Sequence, residues 1–328
     1  MKAILCKEFG TPDKLCLEEV DTPVAGNNQV LIDIYVASTN FPDTLQIDGK
    51  YQIRPPMPFI PGSEVAGIVE AVGPDVTKLK VGDRVMAACG IGAYADKVLS
   101  VVETVRILPA KMDMRAAACF NVVYGTSYYA LKQRAQLKQG ETLLVLGAGG
   151  GVGLSAVELG KVMGARVIAA ASSEEKLEAA KQAGADELIN YSDGELKQKV
   201  KDLTGGRGAD VVYDPVGGDL FHQASRAVAW DGRILIIGFA SGEIPAYKVN
   251  LALLKSTSVV GVFWGAWTGQ FPDQNHQNFA ELFEMYEKGS IKPLISKAFP
   301  LAGTSEALFS LMQRKALGKV VIEMKQES

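Results

Sequence analysis

A run of glycines near the middle of the chain has the composition of a phosphate-binding loop. It extends from Gly147 to Gly153 with the sequence GAGGGVG, between a strand-like segment at 142–147 and a helix-like segment at 152–163. Glycines allow a ligand to approach the backbone, and the free amides at a helix N-terminus can hold a pyrophosphate. The loop departs from the G-x-G-x-x-G pattern, because Ala148 takes the first glycine position in the best register. The alternative is a turn whose glycines only permit tight packing. We predict a dinucleotide site whose cofactor contacts include Gly150, Gly151, Val152 and Gly153.

The end of the next strand-like segment, residues 165–171, indicates which dinucleotide is bound. In NAD sites an Asp or Glu at this point hydrogen-bonds the ribose 2′-hydroxyl. Here the segment is followed by Ser172 and Ser173, and Lys176 comes one turn later. These side chains favour a 2′-phosphate, and therefore NADPH, provided that the two glutamates between Ser173 and Lys176 point away. A structural alternative stays open, in which Ser172 and Glu175 form a capping box and Lys176 is a solvated helix residue.

Metal and histidine chemistry have little support in the sequence. The chain has two histidines, His222 and His276, which we interpret as surface or packing residues. The four cysteines are irregularly spaced and form no C-x-x-C pair, so we expect no zinc site and no disulfide framework. As free thiols of apolar character they fit a cytoplasmic protein. They are Cys6, Cys16, Cys89 and Cys119.

Composition and charge restrict the class of partner. The chain has 328 residues, of which 48% are hydrophobic and 22% charged, as in an ordinary globular protein of two domains. The formal net charge of -3 gives no reason to expect a surface for nucleic acid or anionic lipid. We find neither a signal-peptide pattern nor an apolar stretch long enough for a spanning helix. We therefore expect a small-molecule substrate, no nucleic-acid partner and no membrane.

The elements that must position these residues change in type along the chain. Up to about residue 108, short runs rich in Val and Ile alternate with Gly and Pro, which predicts a mostly β half. From residue 116 strand-like and helix-like blocks alternate, which predicts βαβ units and six parallel strands. The tail returns to a mixed pattern. We predict an α/β fold, with a doubly wound parallel sheet of Rossmann type at 123–263 and a mostly β domain formed by 1–122 and 264–328.

Several ordered segments share a pattern with one known family. The segment 40–43 reads NFPD, and the loop at 148–153 reads A-x-G-G-V-G with alanine in first position. Both resemble segments of the zinc-independent quinone oxidoreductases of the medium-chain dehydrogenase/reductase superfamily, and the resemblance extends from Met1 to about Met324. It implies a GroES-like catalytic domain beside a Rossmann domain. Further similar segments are PGSEVAG at 61–67, VGDRV at 81–85, YGTS at 124–127, IGF at 237–239 and GKVV at 318–321.

The resemblance also implies roles for individual residues. Thr126 takes the position of a threonine near the nicotinamide, and Tyr191 that of a tyrosine at the 2′-phosphate. A homodimer is implied as well, with the strand at 259–263 as a candidate for pairing across a two-fold axis. The cofactor contacts expected beyond the loop are Asn40, Thr126, Ser172, Lys176, Tyr191, Phe239, Phe263 and Lys319.

One departure from the wider superfamily bears on the chemistry. Zinc-dependent relatives carry Cys and His where this chain has Asn40 and Ser63, and they have a four-cysteine lobe that is missing here. Metal catalysis is therefore not expected. Without a metal or a histidine relay, the chemistry that remains is hydride transfer to an acceptor that is already electrophilic. We expect NADPH-dependent reduction of quinones or conjugated double bonds.

Asn40 and Tyr51 are the expected catalytic residues. Asn40, together with Thr126, would position the reactants. Tyr51 takes the place of the acidic tyrosine of related enoyl reductases, and it is either a proton donor or part of the cleft wall. Aromatic residues after the last strand of the parallel sheet form either a wall for a planar substrate or a buried contact between domains or subunits. These are Phe263, Trp264 and Trp267.

Two other functions stay open at this point. An enoyl thioester reductase on the same scaffold would need basic residues for the coenzyme A phosphates, and Lys50 and Arg54 are the candidates. A protein without catalytic activity, structural or RNA-binding, could keep its affinity for NADPH. The acidic balance of the chain argues against the RNA-binding alternative.

Overall fold

The computed structural model describes residues 1–325, which fall into two compact units. The first unit joins Met1–Val122 to the segment that begins at Pro293, and the second unit is Val123–Lys292. No helix among the described residues is long and apolar enough to cross a membrane.

Each unit is built around its own sheet. The first unit begins with β1 (Lys2–Leu5), β2 (Cys16–Glu19), β3 (Gln29–Ser38), α1 (Phe41–Ile47), β4 (Glu64–Val72), β5 (Arg84–Ala88), β6 (Lys97–Val101), β7 (Val105–Ile107) and α2 (Met114–Ala118). Helix α3 (Asn121–Tyr128) begins two residues before the boundary and continues as a π-helical turn, Tyr129–Arg134. The second unit then contains β8 (Thr142–Leu146), α4 (Gly151–Val162), β9 (Arg166–Ala171), α5 (Glu174–Gln182), β10 (Glu187–Asn190), α6 (Leu196–Leu203), β11 (Ala209–Asp214), α7 (Gly218–Arg226), β12 (Val228–Ile236), α8 (Asn250–Lys255), β13 (Ser258–Gly261), α9 (Trp264–Gln270) and α10 (Pro272–Glu287). The chain returns to the first unit with β14 (Ile295–Pro300), α11 (Thr304–Met312) and β15 (Lys319–Glu323).

The sheet of the second unit has the order β10-β9-β8-β11-β12-β13, and all neighbouring strands are parallel. Every residue of β8 is buried, which explains why this strand reads as a continuous apolar run. The predicted doubly wound sheet is therefore confirmed. In such a sheet the carboxyl ends of the strands meet at one edge, where ligands bind.

The sheet of the first unit has the order β14-β15-β3-β4-β5-β7, and β6 pairs with β3. It is antiparallel except for the pair β14 and β15. Ser38, the last residue of β3, lies opposite Glu64 on one side and Val321 on the other. The register therefore brings the residues after β3 close to the first residues of β4 and β15.

The second unit ends later than the sequence predicted, at Lys292 rather than at residue 263. The reason is aromatic packing within this unit. Trp267 stacks on Tyr129 with ring centroids 4.4 Å apart, and a Cβ on Gly125 would lie 2.6 Å from the Trp264 ring. Helix α10 adds to this packing, because the ammonium group of Lys132 donates to Glu281 at 2.5 Å. The two tryptophans thus form internal contacts of the second unit.

Candidate active site

The glycine loop connects the buried strand β8 to helix α4, as the sequence predicted. Gly153 is required by packing, because a Cβ there would lie 2.3 Å from the carbonyl oxygen of Gly147. Gly150 is different. Its φ of -87° suits any residue, and a Cβ would have its nearest neighbour at 3.6 Å, an ordinary contact. The fold alone therefore explains Gly153 but leaves the glycine at position 150 available for the close approach of a ligand.

The N-terminus of α4 offers backbone donors next to this glycine. Gly150 is the N-cap residue and has no side chain to accept from the first amides of the helix. Gly151, Val152 and Gly153 form the first turn, where the helix dipole favours an anion. Because the first amides of a helix have no acceptor within it, a glycine loop that leads into such a turn is suited to bind a pyrophosphate.

Thr126 lies on a helix that is attached directly to this turn. The neighbouring Ser127 hydroxyl donates to the carbonyl of Val152 at 3.2 Å and contacts the hydroxyl of Ser155 at 2.9 Å. Ser155 in turn donates to the carbonyl of Val123 at 3.1 Å. These bonds hold α3 against the first turns of α4 and keep Thr126, which is half-buried, beside the loop.

The residues proposed for the 2′-phosphate meet at the ends of β9 and β10. Tyr191 follows β10, and its backbone amide donates to the carbonyl of Ala171 at 3.1 Å, which places it beside Ser172. The stem of Lys176 lies against the glycine loop, since a Cβ on Gly149 would be 2.5 Å from the Lys176 Cβ. The structure therefore brings together Ser172, Lys176 and Tyr191 at one edge of the sheet.

Helix α5 is capped by Ser173, so the structural alternative, a capping box of Ser172 and Glu175, does not form. The Ser173 side chain accepts from the amide of Lys176, and α5 begins at Glu174. Ser172 precedes the cap and is exposed. Glu174 accepts from the side-chain amide of Asn190 at 2.9 Å, so that this carboxylate is engaged at the end of β10.

Phe239 and Phe263 follow β12 and β13 at the same edge of the sheet. Phe239 is half-buried, and its ring lies 3.1 Å from where a Cβ of Gly217 would be. Phe263 is 53% exposed and immediately precedes α9. Both aromatic rings are therefore available at the edge where a doubly wound sheet binds its ligand.

In the first unit, Asn40 belongs to a buried polar cluster with Glu64 and Lys319. The Asn40 side-chain amide donates to the Glu64 carboxylate at 2.9 Å, and the Lys319 ammonium donates to the Asn40 side-chain oxygen at 2.6 Å. Lys319 also donates to Glu64 at 3.1 Å and to the carbonyl of Thr39 at 3.0 Å. Glu64 completes its bonds by accepting from the amide of Val122 at 2.9 Å.

This cluster gives Lys319 a role that the sequence did not indicate. An ammonium group has three donors, and here they serve Thr39, Asn40 and Glu64. The ion pair is buried, with exposed fractions of 4% for Lys319 and 0% for the Glu64 side chain. Lys319 thus fixes Asn40 in orientation, and its contact with the cofactor stays a prediction.

A second buried carboxylate, Asp43, holds the backbone next to Asn40. It accepts from the Asn40 amide at 2.8 Å, from the Tyr94 hydroxyl at 2.7 Å and from the Ser63 hydroxyl at 3.1 Å. Burial raises the pKa of Asp43 to about 6, although these donors and Lys319 act in the opposite direction. Asp43, Glu64 and Tyr94 were not singled out from the sequence, and the only signal was that two of them lie in the NFPD and PGSEVAG segments.

Tyr51 lies in the turn after α1 and is half-buried. Its backbone amide donates to the carbonyl of Leu45 at 3.1 Å, so that the turn folds back on the helix. Burial and, to a smaller extent, the charge of Asp43 raise the pKa of the Tyr51 hydroxyl. Tyr51 is therefore protonated at neutral pH, but it is a weaker acid than an ordinary tyrosine.

Comparison with known proteins identifies the family. Two family descriptions match the chain, "Alcohol dehydrogenase GroES-like domain" at residues 26–109 and "Zinc-binding dehydrogenase" at residues 151–284. A "Quinone oxidoreductase-like protein 2 homolog" from Nematostella vectensis is 40% identical, over 99% of this chain and 89% of the relative.

Solved structures agree in fold over the whole length. The quinone oxidoreductase of Escherichia coli, complexed with NADPH, is 29% identical with a TM-score of 0.92, covering 98% of this chain and 100% of that one. A mycobacterial protein complexed with NADPH is 33% identical with a TM-score of 0.93 and the same coverage. The GroES-like and Rossmann assignment is confirmed. The chain belongs to the quinone oxidoreductase-like family of the medium-chain dehydrogenase/reductase superfamily.

Proposed function

We propose that this chain is an NADPH-dependent reductase of quinones that works without zinc. The observation that carries the proposal is its full-length similarity to proteins named quinone oxidoreductase, one of which is described in complex with NADPH. The glycine loop of the second unit supports the same cofactor, because a Cβ at position 150 would find only an ordinary contact and the loop leads into the first turn of α4.

The glycine loop and the neighbouring strand ends would hold NADPH. Gly150 leaves room for the pyrophosphate, and the amides of the first turn of α4 are donors to it. Ser172 is exposed and does not cap α5, and its hydroxyl would bind a 2′-phosphate together with the side chains of Lys176 and Tyr191. NADPH, when bound, supplies the hydride. Thr126, Phe239 and Phe263 would contact its nicotinamide half.

The chemistry of the polar cluster supports a reaction without zinc. Asn40 and Ser63 stand where zinc-dependent relatives carry ligands, and both are engaged with protein groups. The Lys319 ammonium lies 2.6 Å from the Asn40 oxygen, so a divalent cation at that oxygen would meet a positive charge. Among residues 1–325, no group of three or more His, Cys, Asp or Glu side chains has the arrangement of a metal site.

The environment of Tyr51 favours quinones over conjugated double bonds as acceptors. Reduction of a carbon-carbon double bond needs a proton on carbon, which a positioned acid accelerates. Burial and Asp43 make Tyr51 a weaker acid, whereas the oxygens of a reduced quinone take protons readily from water. An enoyl thioester stays the alternative acceptor, with Lys50 and Arg54 as the candidates for the coenzyme A phosphates.

A panel of acceptors tests this proposal. The purified protein is given NADPH with an ortho-quinone and with a conjugated enone, and NADP⁺ with a simple alcohol, each before and after treatment with a chelator. We expect quinone reduction to exceed enone reduction, no alcohol oxidation and no effect of chelation. Alcohol oxidation that depends on zinc, or the absence of any quinone reduction, would contradict the proposal.

A homodimer through the edge of the parallel sheet is also proposed. Strand β13 is the last in the order of this sheet, and helix α8 before it exposes large apolar side chains. Val249, Leu253 and Leu254 are 78%, 82% and 65% exposed. Apolar groups so exposed on a helix beside an edge strand are typical of an interaction surface.

Light scattering after size-exclusion chromatography tests the dimer. Leu253→Glu should produce monomers, because it places a charge within the apolar surface. A matched control is Leu188→Glu on β10, the opposite edge of the same sheet, which should leave the mass unchanged. A wild-type monomer, or equal effects of both variants, would refute the proposed interface.

A further inference from the structure

One carboxylate in the second unit binds both places where the chain crosses the unit's boundary. Glu158, on α4, accepts from the Tyr124 hydroxyl at 2.6 Å and from the backbone amide of Lys292 at 3.1 Å. Tyr124 is the second residue of this unit and Lys292 is its last. The second and the last residues of the unit are therefore hydrogen-bonded to the same side chain, that of Glu158.

Glu158 lies on α4, the helix that follows the glycine loop. Glu158 lies two turns after Gly151, the first residue of α4. Tyr124 lies on α3, the helix that also carries Thr126 and that is held to α4 by Ser127 and Ser155. The Tyr124–Glu158 bond is therefore a further contact between α3 and α4, in addition to the contacts of Ser127 and Ser155 near the glycine loop.

We propose that Glu158 is a positioning residue that joins the beginning and the end of the second unit to the helix of the glycine loop. The geometry is specific, because the two carboxylate oxygens serve different segments: Oε2 accepts from the side chain that follows the first crossing, and Oε1 accepts from the backbone before the second. Tyr124 is 1% exposed, so its side chain is enclosed by the surrounding core.

Hydrogen exchange at the Lys292 amide measures this connection directly, because that amide is one of the donors. The measurement is made at pH 8, above the pKa of Glu158, which burial raises to about 7. Glu158→Ala should accelerate exchange at Lys292 roughly tenfold or more. Glu158→Gln keeps one acceptor oxygen and should restore part of the protection.

Tyr124→Phe tests whether Glu158 links Tyr124 to Lys292, because this substitution leaves the bond between Glu158 and the Lys292 amide in place. We expect this variant to accelerate Lys292 exchange several-fold in the wild-type background and to have no further effect in Glu158→Ala. Tyr128→Phe is the matched control, because it also removes a bond from a tyrosine of α3 to a glutamate, Glu281, and should leave Lys292 unchanged. Protection of the β8 amides reports whether each variant is folded.

Two results would overturn the proposal: unchanged Lys292 exchange in Glu158→Ala, or an effect of Tyr124→Phe that equals that of Tyr128→Phe. The cofactor part rests on the proposed function. If NADPH binds, it should slow exchange at Lys292 in the wild type but not in Glu158→Ala. If NADPH does not bind, the proposed function fails, whereas the comparison of variants without cofactor still decides the role of Glu158.

Discussion

At the scale of single residues, the position of one serine bears most on the choice of cofactor. The sequence left Ser172 open as either a helix cap or a phosphate ligand. Ser173 takes the cap, because α5 begins one residue later than a cap at Ser172 would require. N-cap preference cannot decide between Ser172 and Ser173, because a serine at either position has a side chain suited to cap the helix. The helix boundary alone decides which hydroxyl stays available.

Lys176→Ala should weaken NADPH binding and leave NADH binding almost unchanged. A charged hydrogen bond to the 2′-phosphate is worth about 1.5–3 kcal/mol, which corresponds to roughly a tenfold to hundredfold loss of affinity. Fluorescence titration with each cofactor gives both dissociation constants. Lys181→Ala, an exposed lysine on the same helix, is the control. Equal losses for the two cofactors would reject the phosphate contact.

Tyr51→Phe distinguishes a proton donor from a residue of the cleft wall. We expect quinone reduction to stay within a few-fold of wild type, because water protonates the product. A positioned acid contributes about 10²- to 10⁴-fold, so a loss of that size confined to an enone would assign the donor role to Tyr51. The measurement is kcat with saturating NADPH for one quinone and one enone. Parallel losses with both acceptors would mean that Tyr51 positions the reactants.

Asp43 should make stability depend on pH in the acid range. Its pKa rises from 3.8 to about 6 on folding, so the folded protein binds the proton more tightly than the unfolded chain does. Its contribution to stability is therefore greatest below about pH 4 and is lost as the pH rises to about 6. Relative to Asp43→Asn, the wild type should lose on the order of 2–3 kcal/mol of unfolding free energy across this range. Urea unfolding of both proteins at several pH values measures the difference, and a constant difference would contradict the prediction.

At the level of helices and strands, the sequence pattern predicts the bounds of regular elements well. It fails where an element contains an irregular residue. The sequence pattern predicts a strand at 187–190 and a helix at 174–182 that Gly184 ends, and β10 and α5 have these bounds. The pattern also predicts a strand that starts at Arg233, whereas β12 begins at Val228, five residues earlier. It contains Asp231 with φ 58° next to Gly232, a pair that resembles a turn in the sequence.

The sequence pattern predicts a single helix over 116–132, whereas the structure divides this segment into α2, α3 and a π-helical turn. Its interruption is explained by tertiary contacts that no local pattern shows. The amide of Val122, near the start of α3, donates to the buried Glu64, which lies far away in sequence. Propensity predicts a helix here, but it cannot predict where long-range hydrogen bonds will break it.

The elements β15, β3 and β4 depend on the buried ion pair where they meet. Lys319→Met leaves the Glu64 carboxylate buried without its cation, so we expect a loss of about 3–5 kcal/mol in unfolding free energy. Adding Glu64→Gln should recover much of that loss, because no unpaired charge then remains. Denaturant unfolding of both single variants and the double variant gives the coupling. Additive losses would show that Lys319 and Glu64 contribute independently.

At the scale of the whole molecule, the two units were predicted from a change in pattern along the chain. The position of α9 and α10 was not, because it depends on Trp267 meeting Tyr129 across more than a hundred residues. The roles of Lys319 and Glu158 were missed for the same reason. Each joins segments that are distant in sequence, whereas the glycine loop is a local feature and could be found directly.

We propose that this chain transfers hydride from NADPH to a quinone without zinc. The most direct measurement is kcat/KM for NADPH and for NADH with one ortho-quinone, on protein dialysed against a chelator. We predict activity with NADPH that chelation does not change, and a preference over NADH of about tenfold or more. No oxidation of NADPH by the quinone, or activity that chelation abolishes and zinc restores, would contradict the claim.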